Sequence, residues 1–158
     1  ISFVNDSSSV SLISSNENVR SISIRLPGVV GKNSHNNFLS RLVADILSGT
    51  EVAIKNPDPS ALFNNIIHVK DLACYLKFYI HSEIKGNEVV NIASSDPISL
   101  LHVTDLIFKY CKKVSKVKFL KEGKKSFLIS VENIEKQGFY LRSTQEMLES
   151  FIKDLIKE

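Results

Sequence analysis

The feature that most constrains this chain is the segment Ser21-Ile-Ser-Ile-Arg-Leu-Pro-Gly-Val-Val-Gly31. Alternating Ile22 and Ile24, continued by Leu26, read as a buried strand. Pro27 has no N–H to give a sheet, so Pro27-Gly28 is expected to end that strand. In α/β proteins the end of such a strand borders the crevice where ligands bind. A second constraining stretch, Phe63-Asn-Asn-Ile-Ile-His-Val-Lys-Asp-Leu-Ala73, carries an apolar strand over Asn65 to Val69 directly into a helical pattern.

The remaining elements alternate in type. Phe38, Leu39, Leu42, Val43, Ile46 and Leu47 recur at three and four residues, which predicts an amphipathic helix started by polar residues from Asn33 to Asn37 and stopped by Gly49. Glu51 to Lys55 reads as a short strand, and the prolines of Asn56-Pro-Asp-Pro-Ser60 hold a loop. Leu72, Ala73, Leu76 and Tyr79 mark a second helix closing near Gly86-Asn87. Val89 to Ile92 is a strand, and Ser99 is an N-cap for a helix carrying Val103, Leu106, Ile107 and Tyr110. A strand over Lys116 to Leu120 follows, then an extended piece over Phe127 to Ile129. Ser130 is placed to cap a brief helix, and a last helix from Thr144 to Lys157 has Leu148, Phe151, Ile152 and Leu155 on one face. Strand–helix alternation predicts an α/β fold. Residues 1–19, rich in Ser and Asn, form a separate N-terminal segment; residues 20–158 form one unit.

With 158 residues and 43% hydrophobic content, the chain can build one core without staples. No apolar run approaches the roughly 20 residues of a membrane span, and no charged-then-apolar leader opens the chain. A soluble, cytoplasmic protein with no membrane partner is expected. The start at Ile1 instead of Met leads to the expectation of a processed, excised or cloned piece. Cys74 and Cys111 lie in helical stretches without a metal-ligand neighbour, so both are expected to be buried free thiols in a reducing compartment.

Several chemistries lack their residues. Gly28-Val-Val-Gly31-Lys32 suggests a phosphate loop, but Leu26 stands where the first Gly is needed and Asn33 where a magnesium-holding Ser or Thr is needed. His35, His68, His81 and His102 sit in separate elements, which leaves metal catalysis unsupported; His68, between Ile67 and Val69, reads as a hydrogen-bonded structural histidine. No Gly-x-Ser-x-Gly elbow occurs. From Lys112 to Lys125 seven lysines face one Glu122, a pattern suited to polyphosphate binding but more common on solvated strand edges. No nucleic-acid partner is expected from it.

Taken in order, Ile24-Arg-Leu-Pro-Gly-Val-Val-Gly31, Asn36-Asn-Phe38, Asn64-Asn-Ile-Ile-His-Val-Lys-Asp-Leu-Ala73 and Val89-Val-Asn-Ile-Ala93 with Pro97-Ile-Ser99 resemble the C-terminal half of NAD-dependent epimerase/dehydratases, the extended short-chain dehydrogenase/reductase family. The resemblance implies a Rossmann-like fold reduced to its last sheet strands and a small substrate-binding α/β lobe. It implies Leu26, Pro27 and Gly28 on the nicotinamide side of a cofactor, NAD or NADP, and Asn36, Asn37 and Phe38 against a nucleotide-sugar. An Asn side chain offers both a donor and an acceptor, which suits phosphate and base edges.

Two departures accompany the resemblance. Where many relatives carry an Arg for the diphosphate stands Asn64, with Lys124 or Lys125 as a substitute charge. No Tyr-x-x-x-Lys pair exists, because Tyr75, Tyr79, Tyr110 and Tyr140 are followed four positions on by Tyr79, Glu83, Val114 and Thr144. No catalytic residue is therefore assigned. The expected function is the substrate-binding C-terminal region of a nucleotide-sugar epimerase or dehydratase, inactive alone and completed by an N-terminal Rossmann half. The alternative is a self-standing nucleotide-sugar-binding or protein-interaction domain without redox activity. An uncovered sheet edge would favour association, so a homodimer is a further expectation.

Overall fold

The structure, a computed structural model, describes residues 21–34, 37–122 and 126–156. The N-terminal segment 1–19, His35, Asn36 and Lys124 lie outside the described residues. Strand β1 (Ser21–Arg25) pairs in parallel with β6 (Asn87–Asn91), Ser21 opposite Asn87 and Arg25 opposite Asn91. The ladder stops there because Pro27 has no N–H to continue it. The chain bends, and β2 (Gly28–Val30) pairs in parallel with a different partner, β5 (Ile66–His68). Two backbone bonds bracket the change: Ile92 N donates to Arg25 O at 3.2 Å, and Gly28 N donates to Asn65 O at 3.3 Å. Two further pairs are β3 (Val52–Ile54) parallel with β8 (Val117–Phe119), and β4 (Leu62–Phe63) antiparallel with β7 (Ile98–Ser99).

Helix α1 (Phe38–Ser48) begins in a capping box: Asn37 Oδ1 accepts from Ser40 N at 3.0 Å and Ser40 Oγ accepts from Asn37 N at 2.8 Å. It buries Leu39, Leu42, Val43 and Ile46, and ends where Gly49 takes a left-handed φ of 74°. Helix α2 is Val69–His81, α3 is Leu100–Cys111, α4 is Glu132–Lys136 and α5 is Thr144–Ile156. As expected, Ser99 caps α3 by accepting from His102 N at 3.1 Å. The core gathers α1, α3 and α5 around β2, β3 and β5, with Val30, Ile67, Val103, Ile107, Met147 and Phe151 all fully buried.

Polar clasps fix the periphery. Arg142 binds Asp71 bidentately, with Nε–Oδ1 at 2.8 Å, and donates from Nη1 to Ser150, tying the approach of α5 to α2. His68 is fully buried at the N-cap of α2. Its Nδ1 accepts from Lys70 N at 3.2 Å, so Nε2 carries the proton toward Asp154 Oδ2 at 3.3 Å. It is the structural histidine that its place in the strand suggests.

Several expectations change. Leu26 lies beyond the end of β1 and is 51% exposed, because the bend carries it out of the sheet. Helix α2 closes at Ser82, short of Gly86, since Asn87 already belongs to β6. Phe127 to Ile129 is not a strand, and Ser130 is not the N-cap of α4; Val131 is, without a side-chain cap bond. Cys74 is an exposed free thiol and Cys111 a half-buried one, because Tyr75 and Tyr79, not Cys74, face inward from α2. Among the described residues no helix is long and apolar enough to cross a membrane, and no group of three metal-ligating side chains assembles.

Two outcomes are expected from this packing. Gly31 has φ 155°, and a Cβ there would lie 2.7 Å from Cγ1 of Val69, so Gly31→Ala should cost about 1–3 kcal/mol in urea unfolding. Burial holds the His68 pKa below its ordinary 6.5, against the pull of Asp154. The unfolded chain therefore takes up a proton first as pH falls below about 6.5, and stability should drop by up to about 1.4 kcal/mol per pH unit until folded His68 also titrates. His68→Asn, which keeps a capping acceptor without the titration, should flatten that slope in pH-dependent urea titrations.

Candidate functional site

The change of partner at Pro27 opens two hollows, one on each side of the bend, each of about 470 Å³. The first is lined by Gly28, Asn37, Phe38, Phe63, Asn65 and Phe127, backed by Val30, Leu39, Leu62, Ile66 and Ser126. The second is lined by Arg25, Leu26 and Asn91 together with Phe127, Leu128, Ile129 and Ser130. Phe127, 67% exposed, belongs to both walls.

Of the residues singled out in the sequence, Gly28, Asn37 and Phe38 meet in the first hollow, and Leu26 borders the second. Pro27 is the half-buried link between them. Asn37 reaches the hollow from the start of α1 while performing its capping duty; its Nδ2 donates to Val29 O at 3.3 Å, which ties the helix start to β2. The Phe38 ring leans on Phe63, with centroids 6.1 Å apart and planes at 59°.

Asn64 is 3% exposed. Its Nδ2 donates to Ser94 O at 3.1 Å and Ile129 O at 2.8 Å, and its Oδ1 accepts from Ile129 N at 3.0 Å. Both amide hydrogens are thus engaged within the protein. The residue next to it, Asn65, lines the hollow instead, and its Oδ1 is buried without a hydrogen-bond partner among the described residues. Sequence reading passed over Asn65, Phe127 and Arg25. Successive side chains on an extended backbone point to opposite sides, so Asn64-Asn65 had to split between protein and hollow, and the sequence carries no sign of which goes where.

The wall formed by residues 126–130 has no regular structure, yet it is pinned. Asn56 Nδ2 donates to Ser126 Oγ at 2.7 Å, and Asn64 holds Ile129. Among the described residues none that lines the first hollow is charged, and Arg25 is the charged one lining the second. The described residues fit the nicotinamide end of a dinucleotide at most: Leu26 and Pro27 give the second hollow an apolar rim, but no glycine-rich strand-to-helix turn is present to hold a pyrophosphate.

No protein-family profile and no curated protein sequence matches this chain. Solved structures do. The UDP-glucose 4-epimerase of Thermus thermophilus, in complex with NAD, superposes with TM-score 0.73 at 14% identity, covering 94% of this chain and 50% of that one. The UDP-N-acetylglucosamine 4-epimerase of Methanobrevibacter ruminantium, in complex with UDP-N-acetylmuramic acid, gives 0.66 at 20% identity over 86% and 46%. The dTDP-glucose 4,6-dehydratase of Bacillus anthracis, in complex with NAD, gives 0.69 at 16% identity over 87% and 44%. The chain therefore has the α/β fold of extended short-chain dehydrogenase epimerases, as the order of its motifs implied, and spans about half the length of the structures it matches.

The adjacent asparagines should respond oppositely to removal of the amide. Asn64→Leu strands the Ser94 and Ile129 backbone groups and should cost about 2–4 kcal/mol in urea unfolding. Asn65→Leu removes an acceptor that has no partner among the described residues and should stay within about 1 kcal/mol of the parent, or exceed it.

Proposed function

We propose that this chain is the C-terminal, substrate-binding part of an NAD(P)-dependent nucleotide-sugar epimerase or dehydratase. The observation that carries the reading is the meeting of Gly28 with Asn37 and Phe38 in one hollow, beside a second hollow at Leu26. Two segments that the family resemblance assigns to substrate and cofactor lie on either side of one bend. The half-length match to NAD- and UDP-sugar-bound enzymes supports it.

In this reading the nucleotide-sugar lies in the hollow of Asn37 and Phe38, and the sugar reaches toward Leu26 and Pro27. When bound, NAD or NADP supplies the hydride acceptor for oxidation of a sugar hydroxyl. The chain's own residues bind and orient: Asn37 presents its remaining amide hydrogen, the Phe38–Phe63 pair gives an apolar face, and the pinned 126–130 wall limits water access. The dinucleotide fingerprint and the Tyr-x-x-x-Lys pair belong to polypeptide other than these 158 residues. This chain by itself binds but does not turn over.

The test is a titration of the isotope-labelled chain with UDP-glucose, followed by NMR, alongside a turnover assay with NAD. Shifts at Gly28, Asn37 and Phe38 without NAD reduction are expected. Gly28→Leu, at an exposed strand position whose added Cβ has ordinary room, should weaken binding at least about 10-fold while leaving the fold intact. Shifts confined to other surfaces, or appreciable turnover by this chain alone, would overturn the proposal.

A further inference from the structure

Between Ser126 and Ile129 the chain borders both hollows, and it is tied down at each end. Asn56 Nδ2 donates to Ser126 Oγ at 2.7 Å; at the other end Ile129 N donates to Asn64 Oδ1 at 3.0 Å, and Ile129 O accepts from Asn64 Nδ2 at 2.8 Å. Phe127 and Leu128 stand between these tethers, outside any helix or strand, and are 67% and 49% exposed. We infer that residues 126–129 are a strap held at both ends, and that its Phe127 ring turns in over a molecule seated in the first hollow and shuts it from solvent. This rests on the binding role proposed above and not on the chemistry that follows binding.

The tethers and the hollow together give the strap an open and a closed position. Pinning at Ser126 and Ile129 keeps the Phe127-Leu128 span beside the hollows, while rotation about the Phe127 side-chain bonds carries the ring from one position to the other with both tethers intact. Covering an aromatic ring removes apolar surface from water, a gain realised only where something other than water lies beneath it. The first hollow, at about 470 Å³, is wider than one ring, so without an occupant an inward ring keeps a wet inner face. An occupant removes that water, and a ligand that favours one arrangement shifts the chain toward it. The lining sets the direction: Phe127 shares the first hollow with Ser126, Phe38 and Phe63, whereas Leu128 lines the second alone. Phe38 and Phe63 lean on each other, with centroids 6.1 Å apart, and both pack against the core. Of the three rings, Phe127 is the one placed to move.

The chain contains no tryptophan, so Phe127→Trp places a single indole on the strap. On addition of UDP-glucose its emission should move to the blue and its quenching by acrylamide should fall. A Tyr140→Trp control, at an exposed position that lines neither hollow, should change in neither respect. Phe127→Ala removes the ring from an exposed site, so the urea midpoint should stay that of the parent while UDP-glucose binding, followed by NMR titration, weakens at least about 10-fold. Equal affinity in Phe127→Ala and a parent that shows shifts at Gly28, Asn37 and Phe38 would overturn the strap and leave the binding role standing. An unchanged indole signal in a Phe127→Trp chain whose Gly28 and Asn37 resonances shift on titration would do the same. Should the indole itself block binding, the Phe127→Ala comparison decides. If UDP-glucose shifts none of those residues in the parent, the binding role falls and the strap with it.

Discussion

Pro27 cannot hydrogen-bond through its nitrogen, and the rest of the molecule is arranged around that fact. Because the β1–β6 ladder cannot run past it, the chain leaves one strand and takes another within two residues, and β2 joins β5. A strand that switches neighbours must leave space where the two ladders diverge, which is the geometric origin of ligand crevices in open α/β sheets. Here the space appears as two hollows sharing the Phe127 side chain. The bend also fixes what can reach them: Gly28 because it follows the proline, and Asn37 because its amide is bonded to Val29 on the same strand.

The walls of the site are held by side-chain amides instead of by sheet or helix. Asn64 joins the β4–β5 connection to Ser94 and Ile129, and Asn56 fastens Ser126. These buried bonds are a substantial constraint on a segment with no regular structure, since each would leave an unpaired backbone or hydroxyl group if removed. The same residue type thus does two kinds of work in this chain. Asn56 and Asn64 are engaged within the protein and build the wall, Asn37 caps α1 while lining the hollow, and Asn65 carries a buried Oδ1 with no partner among the described residues.

Most of the elements were legible because their patterns are long. The 3.6-residue period from Phe38 to Leu47 and the Ser99 cap gave α1 and α3 with their observed starts, and Val89–Val90 gave the heart of β6. Strands β4 and β7 have two residues each, too short for any period to register, and their pairing depends on tertiary contact. Leu26 continued the alternation of Ile22 and Ile24 but fell at the edge of the proline bend, where exposure replaces burial. Of the residues lining the first hollow, Gly28, Asn37 and Phe38 are among those the resemblance singles out, whereas Asn65 and Phe127 carry no signal in the sequence. An extended Asn-Asn pair reads alike in either orientation, and an apolar side chain in an irregular loop carries no periodic signal that it stands exposed.

The most direct measurement is a set of NOE contacts in the chain free in solution. Cross-peaks should connect the Asn37 side-chain amide to Val29 and the Phe38 ring to the Phe63 ring, across bond and centroid separations of 3.3 and 6.1 Å, with Gly28 and Asn65 also in contact. All three together place the bend and the start of α1 around one space. Absence of the Asn37–Val29 and Phe38–Phe63 contacts in a folded sample would separate those two segments and leave no shared site.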